Sequence, residues 1–538
     1  MVCFWLIQAV APRGVPNPDG IAYLDISYSC LAGNWHALLN GYWSPGLPFM
    51  LTIWLKIFNP APFHEGTVMH LFTFISLIGA LASFEYFISV FLIFRKKVVE
   101  DGEQDTGYGV PDSAIWLLGY SLFFWITTFL TPPSLEQPDI LVFIVYLLAS
   151  ALSMQLVSYD KSWSRYFLLG MALGLGYLVK VIMFPLALTF YVALFFQPAR
   201  FRRLPGLLFS VAILLAVSLP FAMTLSKTKG RFTFGDAGVI AYRHIVDMDE
   251  QPLMSTSIPA PEAAPHASEF TQIIHLGTYP PWSDPSYEYR ATPFPFKWRS
   301  QLNRIHVVLH DYFELFVVQL GGLLVGLLVL VFSGSLSEFG KRFVRQSVLW
   351  LPAAAGLAAY ATMRVEGRFL AGFTIALFAA SMASVHCANS LNLQNVVRPT
   401  VFAVSLVLVS QSAFQAGHEA MKLLGRQKYP AWQVATTLRQ MGLRDGDRVS
   451  YMGYALIDHE WAHLARLKVV AEIPEADVSN FWASAQTERV KAIQWLASSG
   501  ARVLVTRNVP KSAMSMGWKT VPETDYCILK LPEVNLQP

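Results

Sequence analysis

Residues 139–157 read DILVFIVYLLASALSMQLV, a run of 19 residues in which Asp139 is the only charged side chain. A transmembrane helix needs about 20 mainly apolar residues to cross the hydrocarbon core of a bilayer. The run therefore predicts a membrane-spanning helix, and Pro138 and Asp139 mark the point where it begins.

The composition of the whole chain indicates a membrane protein with several such helices. The 538 residues are 54% hydrophobic and 14% charged, and the mean hydropathy is +0.42, whereas a soluble protein carries about 25% charged residues. A net charge of +4 without a basic cluster argues against nucleic-acid binding, and the apolar content argues against disorder. Four scattered cysteines do not suit a disulfide scaffold or a cysteine-based zinc site.

Further apolar runs predict the other membrane spans. They lie at 67–94, 113–131, 205–225, 307–332, 345–362, 369–388 and 399–415. The stretch 167–197 is too long for one ordinary span, and we interpret it as a hairpin of two. That choice leaves Arg200, Arg202 and Arg203 on the same side as the other short basic loops, which is the cytoplasmic side. Residues 1–11 amount to about half a span, so we expect a first span that begins upstream, which gives about 11 spans in all.

With this orientation, three segments lie outside the membrane. They are the first outer loop 12–66, the large outer loop 226–306 and the C-terminal segment 416–538. In the first outer loop, apolar residues recur at helical spacing from Ile21 to Leu39 and again from Phe49 to Phe58. We therefore predict two amphipathic helices that lie along the membrane surface.

The C-terminal segment is predicted to be a small α/β domain. Charged residues return there, and short β-rich runs alternate with helical runs. We predict strands at Arg448–Met452, Lys468–Glu472, Arg502–Thr506 and Tyr526–Leu531, and helices at Trp432–Met441 and Val478–Ser499. This alternation indicates an α/β domain of residues 416–538 that follows a transmembrane domain of residues 1–415.

Ionisable residues near the outer ends of the spans are the candidates for chemistry. Asp19 lies where the first surface helix begins, so it is either an N-cap or a carboxylate beside the helix dipole. Asp139 can likewise be an ordinary N-cap or a functional acid. Lys180 lies at membrane depth, where a charged residue is rare and indicates function, unless its amine snorkels to the interface.

Two outer loops add further candidates with two interpretations each. Arg364-Val365-Glu366-Gly367-Arg368-Phe369 connects two spans, and its arginines either bind a phosphate in bidentate fashion or pair with Glu366 and anchor the helix ends. The aromatic and proline-rich segment 277–287 either stacks on sugar rings as a lid or anchors the loop at the membrane interface.

The order of these motifs resembles the GT-C superfamily of polyprenyl-phosphate-dependent glycosyltransferases. The most similar branch is that of protein O-mannosyltransferases and lipid A aminoarabinose transferases, glycosyltransferase family 39. The resemblance begins with Asp19, Tyr23 and Asp25 after the first span, and continues with a proline-rich turn and a second surface helix. One departure is Gly20, since the family often has an acidic residue directly after the catalytic aspartate.

Two later segments follow the same family pattern. The Gly-rich stretch 174–180, which ends in Lys180, is similar to the family's fifth span. Residues 364–369 resemble its Glu-x-Arg-(Tyr/Phe) motif. The resemblance covers residues 1–415 and implies a GT-C-like polytopic α-helical fold with amphipathic helices beside the membrane.

The resemblance also implies which residues act and on what. The implied catalytic residues are Asp19, as general base, and Asp139; the implied substrate-binding residues are Tyr23, Asp25, Lys180, Arg364, Glu366 and Arg368. The implied donor is a sugar linked through phosphate to a polyprenol in the bilayer, and the implied transfer inverts the anomeric carbon. The acceptor is an unknown glycan, lipid or protein. No cofactor is certain, and the resemblance leaves room for a divalent metal ion.

The implied location is a cell membrane. We expect the inner membrane of a bacterium, with the active site and the C-terminal domain on the periplasmic side.

Two other functions fit parts of the sequence. His459-Glu460-Trp461-Ala462-His463 matches HExxH, in which two imidazoles on one helix face bind zinc and the glutamate acts as base. A third ligand is not obvious, so a membrane-anchored metallohydrolase is the weaker alternative. A transporter or flippase of lipid-linked substrates shares the helix count and the buried charges, but inverted repeats with broken helices, the mark of many transporters, are not visible in the sequence.

Overall fold

The computed structural model describes residues 1–10, 16–100, 108–158, 162–198, 200–247, 258–259, 267–270, 277–286, 296–387, 393–424 and 429–532. These residues form a helical membrane part, which ends with the helix Arg398–Leu424, and an α/β domain, which begins with the helix Pro430–Gln440. The helix Arg398–Leu424 runs past the predicted domain boundary at residue 415.

A helix occurs at each position where the sequence predicts a span. The bounds are Val2–Val10, Glu65–Glu100, Asp112–Phe129, Asp139–Ser158, Trp163–Val179, Met183–Phe195, Arg200–Lys229, Trp298–Phe313, Gly321–Phe332, Ser347–Ala361, Ala371–Ser384 and Arg398–Leu424. Judged by length and composition, five helices of the described chain are able to cross a membrane, and a sixth if Trp298–Gln319 and Gly321–Phe332, which meet at 74°, form one broken span. The chain is therefore a helical membrane protein with several spans. The predicted number of about 11 is larger because it includes short apolar helices such as Met183–Phe195.

Shorter helical segments and one small strand pair connect these helices. The helical segments are Trp35–Leu38, Pro62–His64, Ala237–Tyr242, Arg243–Asp247, Pro280–Ser283, Glu314–Gln319, Leu336–Arg345, Gly367–Leu370 and Leu393–Val397. The strand pair joins Tyr108–Gly109 to His386–Cys387 in antiparallel register.

The stretch 167–197 is divided into two helices, as the sequence predicts. The helix Trp163–Val179 ends because Lys180 takes an extended backbone conformation, with φ −157° and ψ 127°. A Cβ built at Gly174 lies 2.8 Å from the Val217 Cβ. The Gly-rich face therefore lets this helix approach the helix Arg200–Lys229 closely, as small residues do between membrane helices.

The first outer loop contains two helices, Pro18–Leu31 and Gly46–Phe58, which we call the first and second outer helices. The first is shorter than the predicted helix because Gly33, with φ 92°, directs the chain away after Leu31. The second leaves large apolar side chains exposed on one side, among them Phe49, Ile53 and Ile57. That exposed apolar face fits a helix at the membrane surface.

The C-terminal domain is built on a mixed sheet, and all four predicted strands are present. The strand order among the described residues is Ile258–Pro259, Ser268–Glu269, Lys468–Pro474, Arg448–Gly453, Val503–Arg507, Tyr526–Lys530 and Lys519–Thr520. The three central strands are parallel and the outer ones antiparallel. The first two strands come from the large outer loop, so part of that loop belongs to this sheet.

Helices cover both faces of the sheet. They are Pro430–Gln440, Ala455–Asp458, Glu460–Leu464, Glu475–Ala483 and Gln486–Ser498. The last two replace the single helix predicted at Val478–Ser499, because Ser484 and Ala485 take extended conformations between them. Val434 and Trp461 pack in the apolar core on one face of the sheet, and Phe481 and Leu496 pack in the core on the other.

A buried ionic contact joins the C-terminal domain to the membrane part. The carboxylate of Glu65, which is fully buried at the start of a span, lies 2.7 Å from His463 Nε2. The same carboxylate pairs with Arg466 and accepts a hydrogen bond from the Tyr28 hydroxyl. On its other side, His463 Nδ1 lies 3.4 Å from Asp25 of the first outer helix. Because a buried charge is costly unless it is paired, this network fixes how the two parts dock.

The docking contact predicts a stability that depends on pH. Burial lowers the pKa of His463, but the charge of Glu65 and the hydrogen bonds to Asp25 and Glu65 outweigh burial and raise it to about 9. Since this value lies above the ordinary 6.5, His463 stabilises the folded state fully below about pH 6.5. The contribution, roughly 3 kcal/mol, is lost as the pH rises through about 9.

Thermal unfolding followed from about pH 6 to about pH 10 checks this expectation. The Tm of the wild type should fall over the upper part of this range, and His463→Gln should have a lower Tm that no longer falls. His36→Gln, which removes an exposed histidine of the first outer loop, is the matched control. A His463→Gln protein whose Tm follows the wild-type pH curve contradicts the expectation.

Candidate active site at the outer ends of the spans

Asp19 lies in the first turn of the first outer helix and is not its cap. The cap is Asn17, whose side-chain oxygen accepts a hydrogen bond of 2.9 Å from the backbone N–H of Gly20. Asp19 Oδ2 accepts a hydrogen bond of 2.5 Å from Gln137 Nε2. The carboxylate therefore sits at the positive end of the helix dipole. Of the two interpretations that the sequence left open, this is the carboxylate beside the dipole and not the N-cap.

The surroundings of Asp19 make its carboxylate a stronger base than an ordinary aspartate. Burial raises its pKa, and the nearby charges of Glu366 and Asp139 raise it further, whereas the charge of Arg368 lowers it. The net shift is upward. A carboxylate with a raised pKa beside a cluster of charged side chains is typical of an active site.

Gly20 allows a second carboxylate, that of Glu136, to reach this helix terminus. Glu136 Oε2 accepts a hydrogen bond of 2.6 Å from the backbone N–H of Asn17, and Oε1 lies 3.0 Å from His70 Nε2. A Cβ built at Gly20 lies 2.6 Å from Glu136 Oε2. Sequence reasoning missed Glu136 and Gln137. The signal that points to them is a pair of polar side chains directly before Pro138 and Asp139 in a short outer loop.

Asp139 organises the predicted cations. Lys180 Nζ lies 2.5 Å from Asp139 Oδ1, and Arg368 Nε lies 3.7 Å from Oδ2. Glu366 bridges the two arginines of its loop, at 2.6 Å from Arg368 and 2.9 Å from Arg364. Asp139 is 3% exposed, whereas the Arg364 side chain is 57% exposed. The structure thus brings these five predicted site residues together. It also pairs both arginines with Glu366, which is one of the two interpretations that the sequence left open for this loop.

Aromatic rings support the same cations. Lys180 Nζ lies 4.0 Å from the centre of the Phe369 ring, and the Arg368 guanidinium lies 5.1 Å from it. The Phe369 ring stacks on Tyr360 at 4.6 Å. Cation–π contacts of this kind hold a cation in place without neutralising it.

An aromatic wall stands beside Asp19. Tyr23, one helical turn further along the same face, packs on Trp43 at 4.9 Å, and Trp282 of the large outer loop packs on Trp43 at 5.4 Å and on Tyr42 at 5.6 Å. The buried Trp282 Nε1 has no hydrogen bond of ordinary geometry among the described residues, and the indole lies close enough to Asp19 to lower its pKa. Burial raises the pKa of Tyr23 well above its usual range, so this phenol stays neutral.

Asp25 does not join the Asp19 group. It lies six residues further along the helix, roughly 120° around its axis. Its oxygens accept hydrogen bonds from the Thr278 backbone N–H at 2.7 Å and from the Thr278 hydroxyl at 3.0 Å. Burial raises the pKa of Asp25, but the hydrogen bond and charge of His463 and the Thr278 donors outweigh burial, and the net shift is downward. Asp25 is therefore a charged residue that binds another part of the chain.

The HExxH histidines have separate partners. His463 contacts Glu65 and Asp25 through its two nitrogens, and its raised pKa keeps it protonated near neutral pH. His459 is the N-cap residue of the short helix Glu460–Leu464. Its Nδ1 lies 2.9 Å from the Ala455 carbonyl oxygen, and its ring stacks on Tyr279 at 5.3 Å. A protonated imidazole does not bind zinc, so this geometry does not suit a zinc protease.

The carboxylates of the candidate site do not form a metal centre either. Over the described ranges, no group of three or more His, Cys, Asp or Glu side chains is arranged to hold a metal ion. The two oxygens of Asp139 face Lys180 and Arg368, and an oxygen of Asp19 faces Gln137. The donor set therefore suits the cations of the chain itself and does not fit a divalent metal.

The contact between Gly20 and Glu136 predicts a cost for a methyl group at this position. Gly20→Ala should destabilise the protein by about 1–3 kcal/mol, because overpacking displaces a buried carboxylate whose two oxygens are both engaged. Gly79→Ala is the matched control within a membrane helix, since its new Cβ meets Ile144 Cδ1 at 3.5 Å and should be neutral or stabilising. The measurement is thermal unfolding of both variants, and Gly20→Ala should have the lower Tm. Equal Tm values for Gly20→Ala and Gly79→Ala contradict the expectation.

Comparisons with known proteins find similar proteins by structure and not by sequence. No family model matches the chain, and no curated protein matches it. The crystal structure of ArnT from Cupriavidus metallidurans, a lipid A aminoarabinose transferase, covers 98% of this chain and 95% of its own chain at 12% identity. The TM-score is 0.54 for its apo state and 0.56 for its complex with undecaprenyl phosphate.

A second solved structure shares the architecture. The Archaeoglobus fulgidus oligosaccharyltransferase, in complex with zinc and sulfate, covers 94% of this chain and 67% of its own at 14% identity, with a TM-score of 0.53. Both proteins are GT-C superfamily members. At such low identity the likeness concerns the fold, and it agrees with the resemblance that the sequence motifs indicate: this chain has the GT-C fold.

Proposed function

We propose that this chain is an integral membrane glycosyltransferase that moves a sugar from a polyprenyl-phosphate donor to an acceptor. The observation that carries the proposal is the position of Asp19, whose pKa is raised, beside the group of Asp139, Lys180 and Arg368. The GT-C fold supports this function, since the ArnT structure of the same fold was obtained with bound undecaprenyl phosphate.

The proposed reaction is a single displacement at the anomeric carbon. The nucleophilic atom of the acceptor attacks that carbon from the face opposite the phosphate and forms the new bond. The bond from the anomeric carbon to the phosphate oxygen breaks, and its electron pair stays on the phosphate. The proton of the nucleophile passes to the Asp19 carboxylate, so the products are an inverted glycoside and a free polyprenyl phosphate.

Lys180 and Arg368 stabilise the phosphate as it leaves. Negative charge develops on the departing oxygen, and fixed cations in a site of low dielectric stabilise that charge most strongly. Arg364, which is largely exposed, contacts the phosphate from the solvent side, and Glu366 holds the two arginines. Asp139 pairs with the cations before the lipid binds, so it acts as a positioning residue that keeps them buried and oriented.

The aromatic wall binds the sugar ring. Trp282, Trp43 and Tyr42 form rigid faces beside Asp19, and aromatic faces pack well against the apolar faces of sugars. Tyr23 supports this wall from the same helix as the base. Asp25 supports substrate binding without contacting the substrate, because it holds the loop that carries Trp282.

We place the site and the C-terminal domain on the periplasmic side of a bacterial inner membrane. Among the short loops that connect the spans, those at the opposite ends contain most of the arginines and lysines, including Arg200, Arg202 and Arg203. Cytoplasmic loops are enriched in these residues, which leaves the Asp19 side facing outward.

Removal of the proposed base tests the mechanism. Asp19→Asn keeps the shape of the side chain but cannot accept the proton, so transfer should fall by about 10²–10⁴-fold. Because the pKa of Asp19 is raised, the wild-type rate should increase with pH through a value above that of an ordinary aspartate. The measurement is transfer of radiolabelled sugar from polyprenyl phosphate in membranes that contain the protein.

The control is Asp311→Asn, the same chemical change in the helix Trp298–Phe313. This variant should transfer sugar at the wild-type rate. Full activity in a stably inserted Asp19→Asn protein contradicts the assignment of the base. Movement of the lipid-linked sugar between the two leaflets of a vesicle membrane, without transfer of the sugar to an acceptor, supports a flippase instead.

Removal of a cation tests phosphate binding separately from catalysis. Arg368→Gln should weaken the binding of undecaprenyl phosphate by about 10- to 100-fold, because charge-assisted hydrogen bonds contribute roughly 1.5–3 kcal/mol each. Arg345→Gln, on the basic helix Leu336–Arg345 at the predicted cytoplasmic side, should leave binding unchanged. The affinity is measured with radiolabelled undecaprenyl phosphate on protein in nanodiscs, and equal affinities of the two variants contradict the proposed phosphate site.

A further inference from the structure

The outer-loop segment 277–286 bridges two carboxylates of the first outer helix. At one end, Thr278 donates its backbone N–H and its hydroxyl to Asp25, at 2.7 and 3.0 Å. A few residues later, Trp282 packs on Trp43 at 5.4 Å, and Trp43 packs at 4.9 Å on Tyr23, one helical turn from Asp19. The position of Trp282 at the candidate base therefore depends on how firmly the segment is held at Asp25.

The loop residues around Trp282 are also held by the first outer loop. Trp43 Nε1 donates a hydrogen bond of 2.9 Å to the Trp282 carbonyl oxygen, and Asn40 Nδ2 donates one of 2.8 Å to the Ser283 carbonyl oxygen. The indole rings of Trp282 and Trp43 meet nearly edge to face, at 80°. These contacts fix the indole in one orientation once the segment is in place.

The C-terminal domain holds the beginning of the same segment. The backbone N–H of Val469, on the strand Lys468–Pro474, donates to the Thr278 carbonyl oxygen at 2.9 Å. The Tyr279 hydroxyl donates to Glu472 of that strand at 3.0 Å, and an earlier part of the outer loop pairs with the strand in antiparallel register. The loop is thus tied to the edge of the C-terminal sheet.

His463 completes the attachment from the C-terminal domain. Its Nδ1 lies 3.4 Å from Asp25 Oδ1 and 3.3 Å from the Thr278 hydroxyl. On its other side it faces Glu65, which also binds Arg466. With a proton on both nitrogens, the imidazole donates on both sides, and the Thr278 hydroxyl accepts from His463 while it donates to Asp25.

We propose that His463, Asp25 and Thr278 form a latch that positions Trp282 against the Asp19 carboxylate, so that the C-terminal domain sets the geometry of the site without touching the substrate. His463 and Thr278 are then positioning residues. The inference rests on the proposed function for the reaction that the latch serves, whereas the latch itself rests on the contacts above.

Hydrogen–deuterium exchange of segment 277–286 tests the latch without any substrate. Thr278→Val replaces the hydroxyl by a methyl group of similar size and removes the hydroxyl contacts to Asp25 and His463. Exchange in the segment should become about tenfold faster, because the lost hydrogen bonds involve charged partners. Thr278→Ser keeps the hydroxyl and should stay within about twofold of the wild type. The strand Val503–Arg507 should exchange equally in all three proteins, which controls for global unfolding.

Two further readouts separate positioning from lipid binding. Thr278→Val should bind radiolabelled undecaprenyl phosphate as the wild type does, because Lys180 and Arg368 do not contact the latch, while the transfer of radiolabelled sugar falls about tenfold. Thr278→Ser should restore transfer, and His463→Gln should repeat the pattern of Thr278→Val from the other side of the latch.

The outcomes distinguish a failure of the latch from a failure of the proposed function. Exchange in 277–286 that is unchanged by Thr278→Val overturns the latch. Faster exchange with an unchanged transfer rate overturns its positioning role. If Thr278→Val exchanges faster but the wild type neither binds undecaprenyl phosphate nor transfers sugar, the proposed function is overturned and the latch is still supported.

Discussion

Charged side chains buried beside a bilayer need partners, and the structure around the candidate site is arranged to meet this requirement. Two carboxylates, Asp139 and Glu65, are almost completely buried where spans begin, and each is paired with cations from distant parts of the chain. Leaving one of them unpaired costs several kcal/mol. The pairing therefore dictates which helix ends meet, and it ties the C-terminal domain to the membrane part.

The same pairing gives the proposed site a simple way to bind its lipid. Lys180 is held by Asp139 and Arg368 is held by Glu366, so the charge of each cation is compensated and oriented by the chain itself. A phosphate that joins them exchanges one anionic partner for another and adds no isolated charge. Asp19 differs from Asp139 because its main partner is the neutral amide of Gln137, and burial therefore raises its pKa. The proposed mechanism thus gives the two aspartates of one cluster separate roles: Asp139 binds cations, and Asp19 accepts a proton.

Much of the fold was predictable from the sequence, because membrane helices and short buried strands are local apolar patterns. The helix at each predicted span and the four strands of the C-terminal domain are confirmed. A member of the candidate site could be selected from the sequence where a charge stood out at membrane depth, as with Lys180, and its role stays a prediction. The partners of Asp25 and His463 were not predictable, because a contact between residues far apart in the chain leaves no local pattern. Gln137 and Glu136 were missed for a related reason: the polar pair before Pro138 is a weak local signal, and its contact with the start of the first outer helix is a contact between distant parts of the chain.

The most direct test of the central claim is a cryo-electron microscopy structure of the protein with bound undecaprenyl phosphate. We expect phosphate density within about 3 Å of the Lys180 amine and the Arg368 guanidinium, on the side that faces Asp19, with Trp282 in place beside the carboxylate. Phosphate density away from these cations, or at the opposite ends of the spans, contradicts it.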